Sequence, residues 1–274
     1  MNRFLNFILG LVFCFSLTQC AYAGTTKFMV VSDAVIDVKM ENGFQVKQSQ
    51  SIYDLQKTVK MINNLNPDFT VFLGDNIKTP STNGAAAFGK IINKLKKPVY
   101  VLTGNSDVAQ AIGVSKKEYY RLVNKFSHNK IRKLPDDRRM SLNLVFLYLD
   151  GVNQFIPGSK GYFKDDELIW LEKKLKQYKN DKVVIFQHFP VMTAGREDAE
   201  SIHKVDEYKK VLSRHNNVIA IISGHSKNED ATEVDGIMHI SVPSLSQGGF
   251  YNEVAIEESA GKKYIIKIKT HHIE

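Results

Sequence analysis

Five short apolar runs in this sequence each end on a side chain that can ligate a metal. Their length, their β-branched content and the turn residues beside them are typical of buried strands. The residues that follow them are, in chain order, Asp33, Asp75, Asn105, His188 and His225. Because the carboxyl ends of strands form the ligand crevice of α/β sheets, the pattern predicts that these side chains converge.

Segments of helical period separate the strands, which indicates a layered α/β fold. Their apolar stripes, such as Ile52, Leu55, Val59 and Ile62, are expected to face the core. Ser115 to Glu118 has the spacing of a capping box and predicts a further helix. Residues 135–139 are predicted to form a loop. The segment after Val234 is predicted to form hairpins, which would make the sheet mixed or antiparallel.

The composition is that of an ordinary folded domain. The chain has 274 residues, of which 43% are hydrophobic and 24% charged, which excludes a disordered or collagenous protein. One domain is expected, over residues 24–274. The formal net charge is +8. We interpret it as a solvated basic face, and we expect no nucleic-acid partner, because aromatic residues are not interleaved with the basic ones.

Residues 1–23 have the pattern of a cleaved signal peptide. Arg3 precedes an apolar run from Phe4 to Leu17, and Ala21-Tyr22-Ala23 follows as a cleavage site. An uncleaved anchor would need about 20 apolar residues, so no membrane span is expected in the mature chain. The segment predicts a periplasmic or secreted protein.

Both cysteines, Cys14 and Cys20, lie in that segment. The mature chain is therefore expected to have neither disulfides nor a catalytic thiol. Cys20 also completes a partial lipobox, which would make the protein a lipoprotein. Gln19 fits that signal poorly, and ordinary cleavage is favoured.

Each candidate ligand alone has a simpler explanation, because Asp and Asn often form turns after strands and most histidines are only hydrogen-bonded. The occurrence of all five candidates after strands of one chain favours metal binding instead. The ordered motifs are Asp33, Gly74-Asp75, Gly104-Asn105-Ser106-Asp107, His188-Phe189-Pro190 and Gly224-His225-Ser226-Lys227, and in this order they closely resemble the calcineurin-like metallophosphoesterase superfamily. The resemblance implies an α/β fold, a four-layer α-β-β-α sandwich of two mixed β-sheets flanked by helices. It also implies a two-metal site that hydrolyses phosphoesters.

The sequence departs from the family pattern at three positions. Val35, Ser106 and Lys227 stand where the family motifs D-x-H, G-N-H-D/E and G-H-x-H have histidines. The retained residues that the resemblance assigns to metal binding are Asp33, Asp75, Asn105, His188 and His225. The resemblance implies one metal site made by Asp33, Asp75 and the residues at positions 35 and 227, and this site has lost both of its imidazoles. The other, made by Asp75, Asn105, His188 and His225, is complete and suits one Mn²⁺, Fe²⁺ or Zn²⁺ ion.

The candidate catalytic residues are Ser106, Asp107 and Lys227. Ser106 can donate a hydrogen bond but is a poor general acid. The Lys227 ammonium could lie between the carboxylates of Asp33 and Asp75 in place of the lost ion, or it could point into solvent. Lys78 and Arg196 are further candidates for holding a phosphate.

Two functions remain open at this point. The first is an exported metal-dependent phosphoesterase, acting on phosphomonoester or phosphodiester bonds of a phosphorylated small molecule, with a reduced one-metal site. The alternative is a catalytically inactive pseudo-phosphoesterase that acts as a phosphoryl-ligand or protein binding module. Four intact ligands favour the first and three correlated losses favour the second. The sequence leaves the substrate and the oligomeric state open.

Overall fold

The computed structural model describes residues 24–41, 44–141, 143–193, 196–197, 202–259 and 263–274. The predicted signal peptide, with both cysteines, lies outside the described residues. The strands are β1 (Thr25–Val31), β2 (Val38–Glu41), β3 (Phe44–Gln48), β4 (Phe69–Phe72), β5 (Val99–Val101), β6 (Asp136–Arg139), β7 (Leu144–Tyr148), β8 (Gly161–Tyr162), β9 (Lys182–Phe186), β10 (Met192–Thr193), β11 (Arg196–Glu197), β12 (Ile202–His203), β13 (Val218–Ser223), β14 (Asp230–Val234), β15 (Ile237–Ser241), β16 (Phe250–Ser259) and β17 (Lys263–His272).

The α-helices of the described chain are α1 (Gln50–Leu65), α2 (Thr82–Ile92), α3 (Lys116–Phe126), α4 (Asp165–Gln177) and α5 (Val205–Leu212). The predicted capping residue of α3 is in place, because Ser115 Oγ accepts a hydrogen bond from Glu118 N at 3.2 Å. The apolar stripe predicted for α1 is buried. Among the described residues, no helix combines the length and the apolarity that crossing a membrane requires.

Two mixed sheets form the centre of the fold. The first has the order β17-β16-β1-β4-β5, in which β1, β4 and β5 are parallel and β16 and β17 are antiparallel. The second has the order β14-β15-β13-β9-β7-β6, with a parallel centre and antiparallel edges. The predicted fold class, α/β with two mixed sheets, is confirmed.

Aromatic side chains fill the space between the two sheets. The Phe28 ring of β1 lies 5.4 Å from Phe146 of β7, and the Tyr100 ring of β5 stacks at 5.2 Å on Tyr148. Because strand side chains alternate between faces, Phe72 points away from this interface, and it contacts Phe88 of α2 at 5.2 Å. Helices therefore cover the outer face of the first sheet.

The hairpins predicted after Val234 occur in both sheets, as β14 with β15 and β16 with β17. Residues 136–139, which we expected to be a loop, form β6 at the edge of the second sheet. The loop prediction is wrong because an edge strand tolerates charged side chains. Two of them have partners in the fold, since Arg139 pairs with Asp181 at 2.7 Å and Asp137 accepts a hydrogen bond from Tyr178 Oη.

Truncation of Phe146 should destabilise the protein strongly. Its ring touches those of Phe28, Phe69 and Phe186 at centroid distances of 5.2 to 5.5 Å, so Phe146→Ala leaves a cavity between the sheets. We expect the free energy of unfolding in a denaturant titration to fall by about 3 to 5 kcal/mol. Ile265→Ala, at a side chain 49% exposed on β17, is the control and should change it by less than about 1 kcal/mol. Equal losses in the two variants would contradict this packing.

Candidate metal centre

The loops that follow β4, β9 and β13 bring three predicted ligands together. Potential ligand atoms of Asp75, His188 and His225 all lie within 4.8 Å of one another. Asn105 joins them, because its Oδ1 is 3.3 Å from His188 Nε2. Asp33 lies beside them, and its Oδ2 accepts a hydrogen bond from His225 N at 3.1 Å. The structure thus places all five predicted metal ligands at one edge shared by the two sheets.

The backbone turns sharply at three of these ligands. Asp33, Asp75 and His225 have φ values of 52°, 51° and 63°, in the left-handed region that L-residues rarely adopt. Such conformations persist only where the surrounding structure determines them. Hydrogen bonds between the loops supply that constraint, as from Asp33 N to Gly74 O at 3.1 Å and from Gly224 N to His188 O at 3.0 Å.

Gly104 allows the loops after β4 and β5 to approach closely. A Cβ at this position would overlap Asp75 Oδ1 and would lie 2.8 Å from His188 Cε1. Gly224 has the same role beside Asp33, because a Cβ there would overlap Ser32 Oγ. Gly104 is therefore required by contact with two ligands, and Gly224 by contact with Ser32, which precedes Asp33.

His188 is held in the orientation of a metal ligand. Its Nδ1 lies 3.1 Å from Leu73 O, so Nδ1 carries the proton in this network. Nε2 faces the space shared with Asp75 Oδ1, 3.5 Å away, and with Asn105, and it can ligate a metal once its own proton is lost. Metal-bound histidines usually have such a carbonyl partner on the second nitrogen.

The charges around this space also suit a cation. Burial alone would lower the pKa of His188, but the carboxylates of Asp75, Asp33 and Asp107 together outweigh burial and raise this pKa to about 9, so a metal ion that binds Nε2 must displace a proton from it. Burial opposes ionisation of Asp75, yet His188 and the Ser106 N–H at 2.8 Å hold its pKa below the ordinary value. Burial, and then the charge of His188, lower the pKa of His225 to about 4, so His225 is neutral at pH 7 and able to ligate.

Asp33 contains an unsatisfied acceptor. Its Oδ2 accepts hydrogen bonds from Ser32 Oγ at 2.5 Å and from His225 N, whereas Oδ1 is buried without a hydrogen-bond partner among the described residues. Burial raises the pKa of this carboxyl. A buried acceptor without a donor is costly, and a nearby cation would stabilise it. The donor set and this orphaned oxygen together fit a divalent metal ion.

The substituted positions have different surroundings. Val35 is half-buried with φ 45°, which is strained for a β-branched residue. Lys227 is exposed, and no ion pair joins it to Asp33 or Asp75 in the described part of the chain, so its side chain adopts the solvent alternative. Ser106 Oγ donates to Ile77 O at 2.7 Å.

Asp107 is buried away from solvent and accepts four hydrogen bonds. Its donors are Asn76 N at 2.8 Å, Asn76 Nδ2 at 3.1 Å, Ile77 N at 2.9 Å and Gly104 N at 2.8 Å. Burial, and then the Asp75 charge, raise its pKa to about 7, while these donors favour the ionised form. The structure therefore makes Asp107 a positioning residue that joins two ligand loops.

Sequence analysis missed Asn76 as a member of this network. Its Nδ2 also donates to Leu102 O at 2.9 Å and to Tyr119 Oη at 3.0 Å. No local signal distinguishes Asn76 from a turn residue after Asp75. Of the two further phosphate candidates, Lys78 pairs with Asp37 at 2.9 Å, and the Arg196 side chain lies outside the described part of the structure.

The model of the calcineurin-like phosphoesterase family matches residues 26–228. The chain therefore belongs to this family of metal-dependent hydrolases that act on phosphoester bonds, as the motifs predicted. It is 27% identical over 202 residues to a probable glycerophosphodiester phosphodiesterase of Arcobacter nitrofigilis, covering 70% of this chain and 69% of that protein.

Two further proteins are similar to this chain. A probable cyclic nucleotide phosphodiesterase of Moraxella catarrhalis is 25% identical over 173 residues, covering 59% of this chain and 58% of that protein. The crystal structure of a dimetal phosphatase from Danio rerio superposes with a TM-score of 0.64 at 14% identity, covering 91% of this chain and 99% of that one. This last similarity supports the fold.

Replacement of Gly104 by alanine should weaken metal binding, because the added Cβ would lie 2.3 Å from the backbone N of Asp75 and would shift this ligand loop. The added Cβ would displace Asp75 and His188, and we expect Mn²⁺ affinity in calorimetric titration to fall by about 10- to 100-fold. Gly158→Ala is the matched control, because a Cβ there meets nothing within 4 Å. Unchanged affinity in Gly104→Ala, with native circular dichroism, would show that the ion binds elsewhere.

Proposed function

We propose that this protein is an exported metal-dependent phosphoesterase with a reduced, one-metal site. The observation that carries the proposal is the cluster of Asp75, His188 and His225 within 4.8 Å, with Asn105 beside it. Export is supported by the signal-peptide pattern of residues 1–23.

The one-metal proposal rests on the ligands that remain. Asp75, Asn105, His188 and His225 offer one carboxylate, one amide oxygen and two imidazoles, a mixed set that suits Mn²⁺, Fe²⁺ or Zn²⁺. Val35 offers no ligand atom, and Lys227 faces solvent. A bound divalent ion would supply Lewis acidity toward a phosphoryl oxygen and would increase the acidity of an attacking water.

The surrounding residues prepare this site for hydrolysis. The Leu73 carbonyl fixes the His188 ring, and the Ser106 N–H fixes the Asp75 carboxylate. The Ser106 hydroxyl already donates to Ile77 O, so it is poorly placed to protonate a leaving group. We therefore expect substrates with good leaving groups to be hydrolysed fastest.

Phosphodiesters are the substrate class that we favour. Both similar curated proteins are named as phosphodiesterases, one for glycerophosphodiesters and one for cyclic nucleotides. The alternative function is a phosphoryl-ligand binding module without turnover. The absence of three family histidines, at Val35, Ser106 and Lys227, favours it.

Hydrolysis should require Asp75. We expect bis(4-nitrophenyl) phosphate to be cleaved in the presence of Mn²⁺, and the chelator EDTA to abolish the reaction. Asp75→Asn should lower kcat/KM by about 100-fold or more, because a neutral amide replaces the anionic ligand. Asp54→Asn, a carboxylate on α1 bonded to Gln50, is the matched control and should retain the rate.

Equal background rates for the native protein and Asp75→Asn would exclude the enzyme proposal. In that case, a rise in melting temperature with phosphate monoesters or diesters, without turnover, would support the binding module.

Ser106→His should increase turnover of substrates with poor leaving groups. An imidazole at this position could donate a proton where the serine hydroxyl cannot, and general acids contribute about 10² to 10⁴ in rate. We expect a gain of about tenfold or more for alkyl phosphodiesters and a smaller gain for nitrophenyl esters. Ser213→His, at an exposed position after α5, controls for an added imidazole. A loss of activity with both substrate types would contradict this role.

A further inference from the structure

A large groove lies beside the metal centre. It encloses about 1140 Å³ between α3, the loop after β7 and the start of α4. Gln110 and Phe155 line it. Gln110 is four residues from Ser106 of the site, and Phe155 is four residues from Ser159, whose backbone is hydrogen-bonded to His225. Four peptide steps span at most about 15 Å. The groove therefore adjoins the metal centre.

The groove carries a net positive charge. Its basic residues are Lys116, Lys117, Arg121, Lys125, Arg132, Lys133 and Lys164. Its acidic residues are Asp150, Asp166 and Glu167. Asp150 is paired with Lys116 at 2.5 Å, and burial, followed by the Asp150 charge, raises the pKa of Glu167 to about 8, so Glu167 is mostly uncharged at pH 7.

Most of the basic side chains are exposed and unpaired. Those that form no ion pair with any residue in the described part of the chain are Lys117, Lys125, Arg132, Lys133 and Lys164. Arg121 pairs with Glu118 on the same helix and with no other acidic residue that the structure describes. An exposed cluster of this kind attracts an anionic surface or ligand.

Phe155 lines this groove, and two further exposed apolar side chains, Ile112 and Ile156, lie on the same two loops as its lining residues Gln110 and Phe155. Ile112, Phe155 and Ile156 are 66%, 59% and 79% exposed. Their two loops form one surface, because Gln110 N donates to Gln154 O and Lys116 N donates to Gln154 Oε1, both at 2.8 Å. Exposed apolar patches with polar rims mark interaction sites.

We propose that this surface, made of Ile112, Phe155, Ile156 and the basic groove, docks on an anionic phospholipid bilayer. The apolar tips would enter the headgroup region while the lysines and arginines contact lipid phosphates. A nucleic acid is the less favoured occupant, because Phe155 is the one aromatic side chain among the three exposed tips, whereas Ile112 and Ile156 suit insertion among lipids rather than stacking on bases.

The docking surface has a consequence for the substrate, and this part of the inference rests on the proposed function. Ile112 is six residues from Ser106 and Ile156 is three residues from Ser159, so docking would bring phosphodiester headgroups toward the ligands. The substrate class inferred for the membrane-bound protein is therefore a lipid phosphodiester.

Vesicle flotation tests the docking surface without any turnover. The protein and its variants, all with the same N-terminus, are mixed with vesicles of phosphatidylcholine alone or with 30% phosphatidylglycerol. We expect binding to the anionic vesicles and at least tenfold weaker binding to the neutral ones. High salt should reduce the binding, because much of the attraction is electrostatic.

Two variants separate the apolar and the basic contributions. The triple variant Ile112→Ser, Phe155→Ser, Ile156→Ser should lower the vesicle partition coefficient about tenfold or more. The triple variant Lys117→Ala, Lys133→Ala, Lys164→Ala should lower the partition coefficient by about 100-fold, because each basic residue near an anionic surface contributes about 1 kcal/mol. The controls are Ile265→Ser, on β17, and the triple variant Lys60→Ala, Lys94→Ala, Lys269→Ala; both should bind as the native protein does.

Each outcome separates the docking surface from the proposed function. Hydrolysis of a soluble diester without vesicle binding would overturn the docking surface and leave the enzyme proposal intact. Loss of binding in the basic variant alone would indicate a polyanion site and would also overturn it. Vesicle binding without turnover of any phosphoester would support the surface and exclude the enzyme.

Discussion

The hydrogen bond between His188 Nδ1 and the Leu73 carbonyl is the contact on which the metal centre depends. His188 follows β9 of the second sheet and Leu73 follows β4 of the first, so this 3.1 Å bond joins the two sheets where their strands end. It also sets the proton on Nδ1 and leaves Nε2 facing Asp75 and Asn105. One interaction therefore fixes both the geometry of the sandwich edge and the chemistry of the ligand.

The two ligand loops have the same left-handed backbone at the substituted positions as at the ligands. Val35 and Lys227 have φ values of 45° and 64°, close to those of Asp33 and His225 two residues before them. Val35 N donates to Asp75 O at 2.9 Å, so contacts between the loops maintain this conformation. A β-branched residue disfavours this conformation. We therefore infer that the neighbouring strand end imposes it on Val35.

The sequence predicted the parts of the site that follow from strand ends. Asp75, Asn105, His188 and His225 each stand directly after a buried run or its glycine, and the topology of α/β sheets brings such positions together. The role of Asp107 could not be predicted, because it depends on amide groups of Asn76 and Ile77 that reach it only in three dimensions. The orientation of Lys227 likewise depends on side-chain packing, and the basic groove unites residues from separate segments. Edge strand β6 was missed because its charges are typical of a loop.

Buried site residues that are fully hydrogen-bonded can be explained by the stability of the fold. A buried polar atom without a partner is better explained by a bound ligand. Asp33, Asp75 and His188 are buried and bonded to backbone or neighbouring groups, so their retention follows in part from stability. One atom is left unexplained by the fold. Asp33 Oδ1 is buried and has no donor among the described residues, whereas His188 Nε2 is paired with the oxygens of Asp75 and Asn105. A sandwich kept only as a binding scaffold would gain from replacing this oxygen with an apolar group, because a buried unpaired acceptor costs about 1 to 3 kcal/mol. The unpaired oxygen, on a carboxylate bonded to the His225 backbone, is the strongest argument in the structure for a bound cation.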